Sequence, residues 1–114
     1  MFKFERLEVW KKSVDLHQKV QLCCEALDSR DQWSLGEQLR RASLSVSTNI
    51  AEGAGRDGVR EARNFFNISK GSVYEVVSLL YVMKQRRLLQ PNDYDTLYNQ
   101  CDEIAMMLSG LMKR

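Results

Sequence analysis

Gln38-Leu-Arg-Arg-Ala-Ser-Leu-Ser-Val-Ser-Thr-Asn-Ile-Ala-Glu-Gly53 is the stretch on which the fold turns. Leu35, Leu39, Ala42, Val46, Ile50 and Gly53 recur every three or four residues and form one apolar stripe. Gln38, Arg41, Ser45, Asn49 and Glu52 step in the same way and form a polar one beside it. Residues at that spacing share a helix face. Ser43, Ser45 and Ser47 also alternate with Leu44 and Val46, a period of two that suits a strand. The three/four spacing runs on from Leu35 to Gly53, so helix is the expectation, held by packing more than by propensity. A solvent face usually carries long charged side chains in no order. An ordered row of short hydrogen-bonding groups implies a lined seam or interface.

Outward from this segment, the same periodicity predicts four helices, over about 6–27, 34–53, 58–87 and 91–112, in one domain spanning 1–114. The first has rows Leu7, Trp10, Val14, His17 and Leu16, Val20, Cys23, Leu27. Ser34 and Glu37 have capping-box spacing for the second. Gly53 is its expected C-terminal cap, and Asp57 the cap of the third. The third has Phe65, Ile68, Ser69, Ser72, Val76, Leu79, Leu80 and Met83 on its inner face, widened by Phe66, Val73 and Val77. Gly71, between Ser69 and Ser72, makes a flat spot that another backbone can approach. Pro91 suits the first turn of the fourth, where Tyr94, Leu97, Tyr98, Cys101, Ile104, Leu108 and Leu111 repeat cleanly. Short links favour antiparallel neighbours, so the expected fold is an all-α, antiparallel up-down-up-down four-helix bundle.

A tight turn at Gly53–Gly58 makes helices two and three a hairpin whose facing residue numbers add to roughly 112. That register sets Arg41 near Ser72, Gln38 near Glu75, Glu52 near Arg60 and Asn49 near Arg63. Arg41 with Glu75 is then a partly buried ion pair that fixes register. For Gln38, Ser45 and Ser72 the expected role is alignment of the two helices; for Arg41, Asn49 and Glu52 it is a subunit interface. A lone four-helix protomer cannot bury both stripes of helix two, and this points to a homo-oligomer.

Lys and Arg number 17 against 15 Asp and Glu, so any nucleic-acid contact depends on where charge is placed. Arg56, Arg60, Arg63 and Lys70 form a basic stripe on helix three, with Arg40 and Arg41 adding charge on helix two and Lys84, Arg86 and Arg87 at the far end. On a lone protomer such a stripe is usually a solvated face; repeated around a homo-oligomer, it becomes a belt that holds phosphates with little base readout. Tyr74 and Trp33 are the nearest stacking groups.

Nothing points to catalysis. His17 is the sole histidine and lies on an apolar face, the glycines lack the Lys-Ser/Thr of a phosphate loop, and Asn49 with Glu52 is too little for a metal. Cys23, Cys24 and Cys101 read as reduced, mostly core thiols. No cofactor, metal, signal peptide or membrane span is expected, and the expected location is cytoplasmic.

Arg41-Ala-Ser-Leu-Ser45, then Asn49-Ile-Ala-Glu-Gly53, then Gly71-Ser72 with Glu75, resembles the four-helix-bundle family of 23S rRNA intervening-sequence proteins. Leu7-Glu-Val-Trp10 is similar to the family's opening Leu-x-Val-Trp. The resemblance implies a homo-oligomeric ring, a homopentamer. It also implies kinship with the accessory variability proteins of diversity-generating retroelements, pentamers that bind nucleic acid and a reverse transcriptase. Those proteins are strongly basic, whereas this chain is close to neutral. The expected partners are therefore further copies of the chain, RNA or DNA and, through the resemblance alone, a reverse transcriptase. The competing expectation is a protein-binding scaffold with no nucleic-acid role; a regulatory bundle of the toxin-antitoxin kind has no feature specific to it.

Overall fold

A computed structural model describes residues 1–113, and every described element is helical. A 3-10 turn, Lys3–Arg6, leads into α1, Glu8–Glu25. After a short helical turn, Ser29–Asp31, and a π-helical stretch, Gln32–Gly36, α2 runs over Glu37–Ala54. Then come α3, Val59–Gln85, and α4, Pro91–Met112. At about 1.5 Å rise per residue, the 27 residues of α3 account for nearly the whole 43 Å long axis. α1 lies against α2 and α4, and α3 lies against the same two helices.

Hydrogen bonds give the register. His17 meets Ser43, and Cys24 faces the carbonyl of Gly36, so residue numbers across α1 and α2 add to 60. Ser45 meets Ser72 and Ser69 meets Val46, adding to 117 and 115 across α2 and α3. A constant sum marks neighbours running in opposite directions. The α2–α3 register therefore sits about one helical turn beyond the sum of 112 expected from sequence. α2 continues past Gly53 to Ala54, so the turn begins at Gly55 and its centre lies later in the chain.

Local chemistry departs from expectation at three ends. Ser34 does not cap α2: it lies within the π-helical stretch, and its hydroxyl donates back to the carbonyls of Arg30 and Asp31. Asp28 supplies the cap instead, accepting the backbone N–H of Asp31 at 2.9 Å. Gly53 is not the C-terminal cap of α2 but is buried inside it; Gly55 is the cap. A Cβ on Gly53 would stand 2.6 Å from the Phe66 ring, so glycine there serves close helix approach. Asp57 caps nothing, because the N-cap of α3 is Gly58 without a side-chain bond. Pro91 does occupy the first turn of α4. α3 ends in a Schellman closure: Leu88 N–H reaches the Met83 carbonyl, and Arg87 takes the left-handed conformation at φ 58°.

The core is built from Leu16, Val20, Leu39, Val46, Ile50, Val73, Val76, Leu80, Leu97, Ile104 and Leu108. On α3 the buried line is Phe66, Ser69, Val73, Val76, Leu80 and Met83, while Ile68 is half exposed. Ser69, Val76, Leu80 and Met83 are thus inside as expected, while Phe66 and Val73 take the inner places expected of Phe65 and Ser72. On α1, Val9, Ser13 and Cys24 are buried where the sequence rows had Trp10, Val14 and Cys23.

Candidate functional site

The polar row of α2 lies along the seam with α3. Asn49 donates from Nδ2 to the Ser45 carbonyl at 2.8 Å and to Ser45 Oγ at 3.0 Å. Ser45 and Ser72 hydroxyls are 2.8 Å apart, and Ser72 donates to the Ile68 carbonyl at 3.2 Å. With the Ser72 proton directed at Ile68, the bonds run one way: Asn49 to Ser45, Ser45 to Ser72, Ser72 to the α3 backbone. Every small polar side chain on the seam is engaged, which fixes the helices at one register.

The outer edge of this seam differs from the sequence expectation. Arg41 does not pair with Glu75; its guanidinium bonds Glu37 at 3.1 Å within α2 and stays 75% exposed. The shifted register brings Ser45, not Arg41, to Ser72. Asn49 Nδ2 turns to Ser45. Glu52 faces Arg56 at 3.8 Å in place of Arg60. Gln38 and Glu75 are exposed. Gly71 is exposed too, with nothing within 4 Å of where its Cβ would sit, so no backbone of this chain uses the flat spot.

The basic residues separate into two groups. Arg56 stands in the turn, its guanidinium 4.6 Å over the Phe65 ring, and Arg60 and Arg63 are exposed on the first turns of α3. Because α1 runs opposite to α2, Lys3 and Arg6 belong to the same end of the molecule. Lys70 lies half-buried farther along α3. Arg40 is drawn away from this group. It donates to the Gln32 carbonyl at 3.3 Å and lies beside Cys24, where it fastens the π-helical stretch. Lys84, Arg86 and Arg87 do not act as one cluster. Lys84 sits 4.4 Å over the Tyr94 ring, Arg86 pairs with Asp31 at 3.2 Å, and Arg87 forms the helix terminus.

One feature escaped sequence reasoning. Val73, Tyr74, Val77, Tyr98, Cys101, Asp102 and Ala105 line an open cleft of about 250 Å³ between α3 and α4. Tyr98 packs on Tyr94 at 5.9 Å. The legible signal was that all four tyrosines of the chain fall in α3 and α4 at intervals of seven and four. Within Pro91–Met112 the charged residues are Asp93, Asp95, Asp102 and Glu103, with no Lys or Arg.

His17 is half-buried, its Nδ1 2.8 Å from Ser43 Oγ. Ser43 donates to the Arg40 carbonyl, so the imidazole carries its proton on Nδ1 and donates to the hydroxyl. Desolvation holds its pKa below the ordinary value. Burial pushes all three thiols up, Cys101 to about 12, away from reactive thiolate character. Among the described residues no group of three His, Cys, Asp or Glu side chains is placed to hold a metal, and no helix is long and apolar enough to cross a membrane.

Residues 5–110, including the seam, the turn and most of α4, match the family described as 23S rRNA-intervening sequence protein. The chain belongs to this family. A solved structure from Bacteroides thetaiotaomicron, described as a protein of unknown function from the S23 ribosomal protein family, has the same fold. Its TM-score is 0.86 at 20% identity, and the match covers 93% of this chain and 99% of that one. No curated protein matches the sequence. The family description names no enzymatic class.

Proposed function

We propose that this 23S rRNA intervening-sequence family member is an up-down-up-down four-helix-bundle protomer of a homo-oligomeric ring, a pentamer. In this reading it is a non-enzymatic cytoplasmic accessory factor that binds structured RNA. The observation that carries the reading is the placement of charge in a nearly neutral chain. Lys3, Arg6, Arg56, Arg60 and Arg63 gather at the end that holds the Gly55–Gly58 turn, while α4 is purely acidic between Pro91 and Met112. Glu5, Glu8, Glu52, Asp57 and Glu61 share that end, so ring symmetry repeats the five cations around a rim of mixed sign. The exposed groups at that rim suit phosphate contacts, not base readout.

Filter binding of a structured RNA across a salt series tests this. Affinity should fall steeply as salt rises, and Arg60→Glu with Arg63→Glu should weaken binding and flatten the slope. Absence of binding at low salt would remove the RNA role. DNA is the control ligand, and a reverse transcriptase is the protein partner that the family resemblance adds.

The tyrosine-lined cleft favours a second reading, a protein-binding scaffold, since aromatic clefts anchor protein contacts. Co-purification of a partner that survives high salt, with no RNA binding, would support the scaffold.

A further inference from the structure

A closed ring of identical subunits uses two different faces of each copy, one meeting the other across every contact. With helices along the ring axis, those faces must stand about 90° apart for four copies and about 108° for five. Faces about 180° apart would propagate an open filament. Here α1, α2, α3 and α4 contact one another in cyclic order, giving four sides. If one contact face is the α2–α3 seam, its complement must therefore be an adjacent side, either α1–α2 or α3–α4.

The α1–α2 side directs its polar groups inward: His17 to Ser43, Ser43 to the Arg40 carbonyl, Ser47 to the Leu44 carbonyl. The α3–α4 side opens a cleft to solvent, with tyrosine rings on its walls and the Asp102 carboxylate at its edge. A π-face beside a carboxylate is the environment that a guanidinium fits, through cation–π attraction and a charge-assisted bond. The α2–α3 seam presents one: Arg41 at its outer edge, three-quarters exposed and in the lone protomer bonded to Glu37 of its own helix at 3.1 Å.

Resting on the ring reading above, we propose that the α3–α4 cleft of one copy receives Arg41 of the next, between Tyr74, Tyr98 and Asp102. Because both contact faces share α3, that helix occupies the inside corner of the ring. Arg60, Asn64, Gly71 and Ser78, which share its outward line and are all exposed, then face the central axis. Gly71, with open space where a Cβ would stand, lies where the α3 helices of successive copies come nearest.

Light scattering coupled to gel filtration tests the pairing. The wild-type protein should run several-fold heavier than its 13.3 kDa chain. Arg41→Glu and Asp102→Arg should each fall to 13.3 kDa with unchanged helical circular dichroism, and the double variant should regain the wild-type mass. Should Asp102→Arg lose helicity, Asp102→Asn replaces it, with the concentration for half-assembly expected to rise at least tenfold. Single variants that keep the wild-type mass, or a double variant that stays light, would overturn the assignment of this face and leave the ring standing. A monomeric wild-type protein would overturn the ring itself.

Discussion

Ser69, in the middle of α3, donates its hydroxyl to the carbonyl oxygen of Val46 on α2 at 2.7 Å, with both residues fully buried. A hydroxyl facing a neighbouring backbone at that depth ties two helices at a single axial position. Ser69→Ala removes one buried hydrogen bond and leaves the carbonyl its own helical partner. The expected loss is about 1 kcal/mol in urea unfolding. Ser69→Val adds volume without the bond, and should cost more.

Gly53 and Phe66 make another close approach between the same helices. Gly53→Ala would drive a methyl group to 2.6 Å from the ring and 3.1 Å from the Ala62 carbonyl. Overpacking of this kind costs about 1–3 kcal/mol. Phe66→Leu in the same chain should recover part of the loss, and additive losses in a double-mutant cycle would show that the ring is not the obstacle.

Arg87 holds a left-handed conformation that glycine adopts without a Cβ clash. Arg87→Gly should therefore stabilise the protein by about 0.5–1 kcal/mol, an increase visible in the melting temperature. Arg87→Val should move it the other way.

His17 gives the folded protein a pH dependence with a definite sign. Its folded pKa lies below the ordinary 6.5 because burial disfavours the imidazolium. Below about pH 6.5 the unfolded chain binds more protons than the folded one. The stability present above that pH is lost as pH falls through the folded pKa. Urea midpoints measured from pH 8 to pH 5 should decline over this window for wild type and less for His17→Asn. Parallel curves would assign the decline to other groups.

Asn49 starts the seam's hydrogen-bond chain and sits at its surface. Asn49→Ala should leave helicity nearly intact while lowering the assembled mass in light scattering, and Glu52→Ala should do the same. A fall in helicity that matches the fall in mass would confine Asn49 to a role within one protomer.

Helix periodicity carried most of the fold because α2 and α4 have uninterrupted apolar spacing, and packing decides helix against strand wherever a stripe is long enough. Family membership was legible in Arg41-Ala-Ser-Leu-Ser45 and Asn49-Ile-Ala-Glu-Gly53. Register was not. It depends on the length of the Gly55–Gly58 turn, and a displacement of one turn moved Ser72 from Arg41 to Ser45. Capping failed for a related reason. Ser34 has the right neighbours in sequence, but Asp28 opens the helical path earlier, and Gly53 is spent on the Phe66 ring. The tyrosine cleft stayed hidden because Tyr98 fits an amphipathic stripe while lying on its solvent margin.

Cys24 and Cys101 are sealed in the core, and burial raises the pKa of both thiols, that of Cys101 to about 12. In the native state neither meets an alkylating reagent as a thiolate. Each becomes reactive only when its helix swings away, so the pace of labelling at these two sulfurs acts as a clock on breathing of the core. Cys23, half-buried at the margin of α1, supplies the fast hand against which that clock is read.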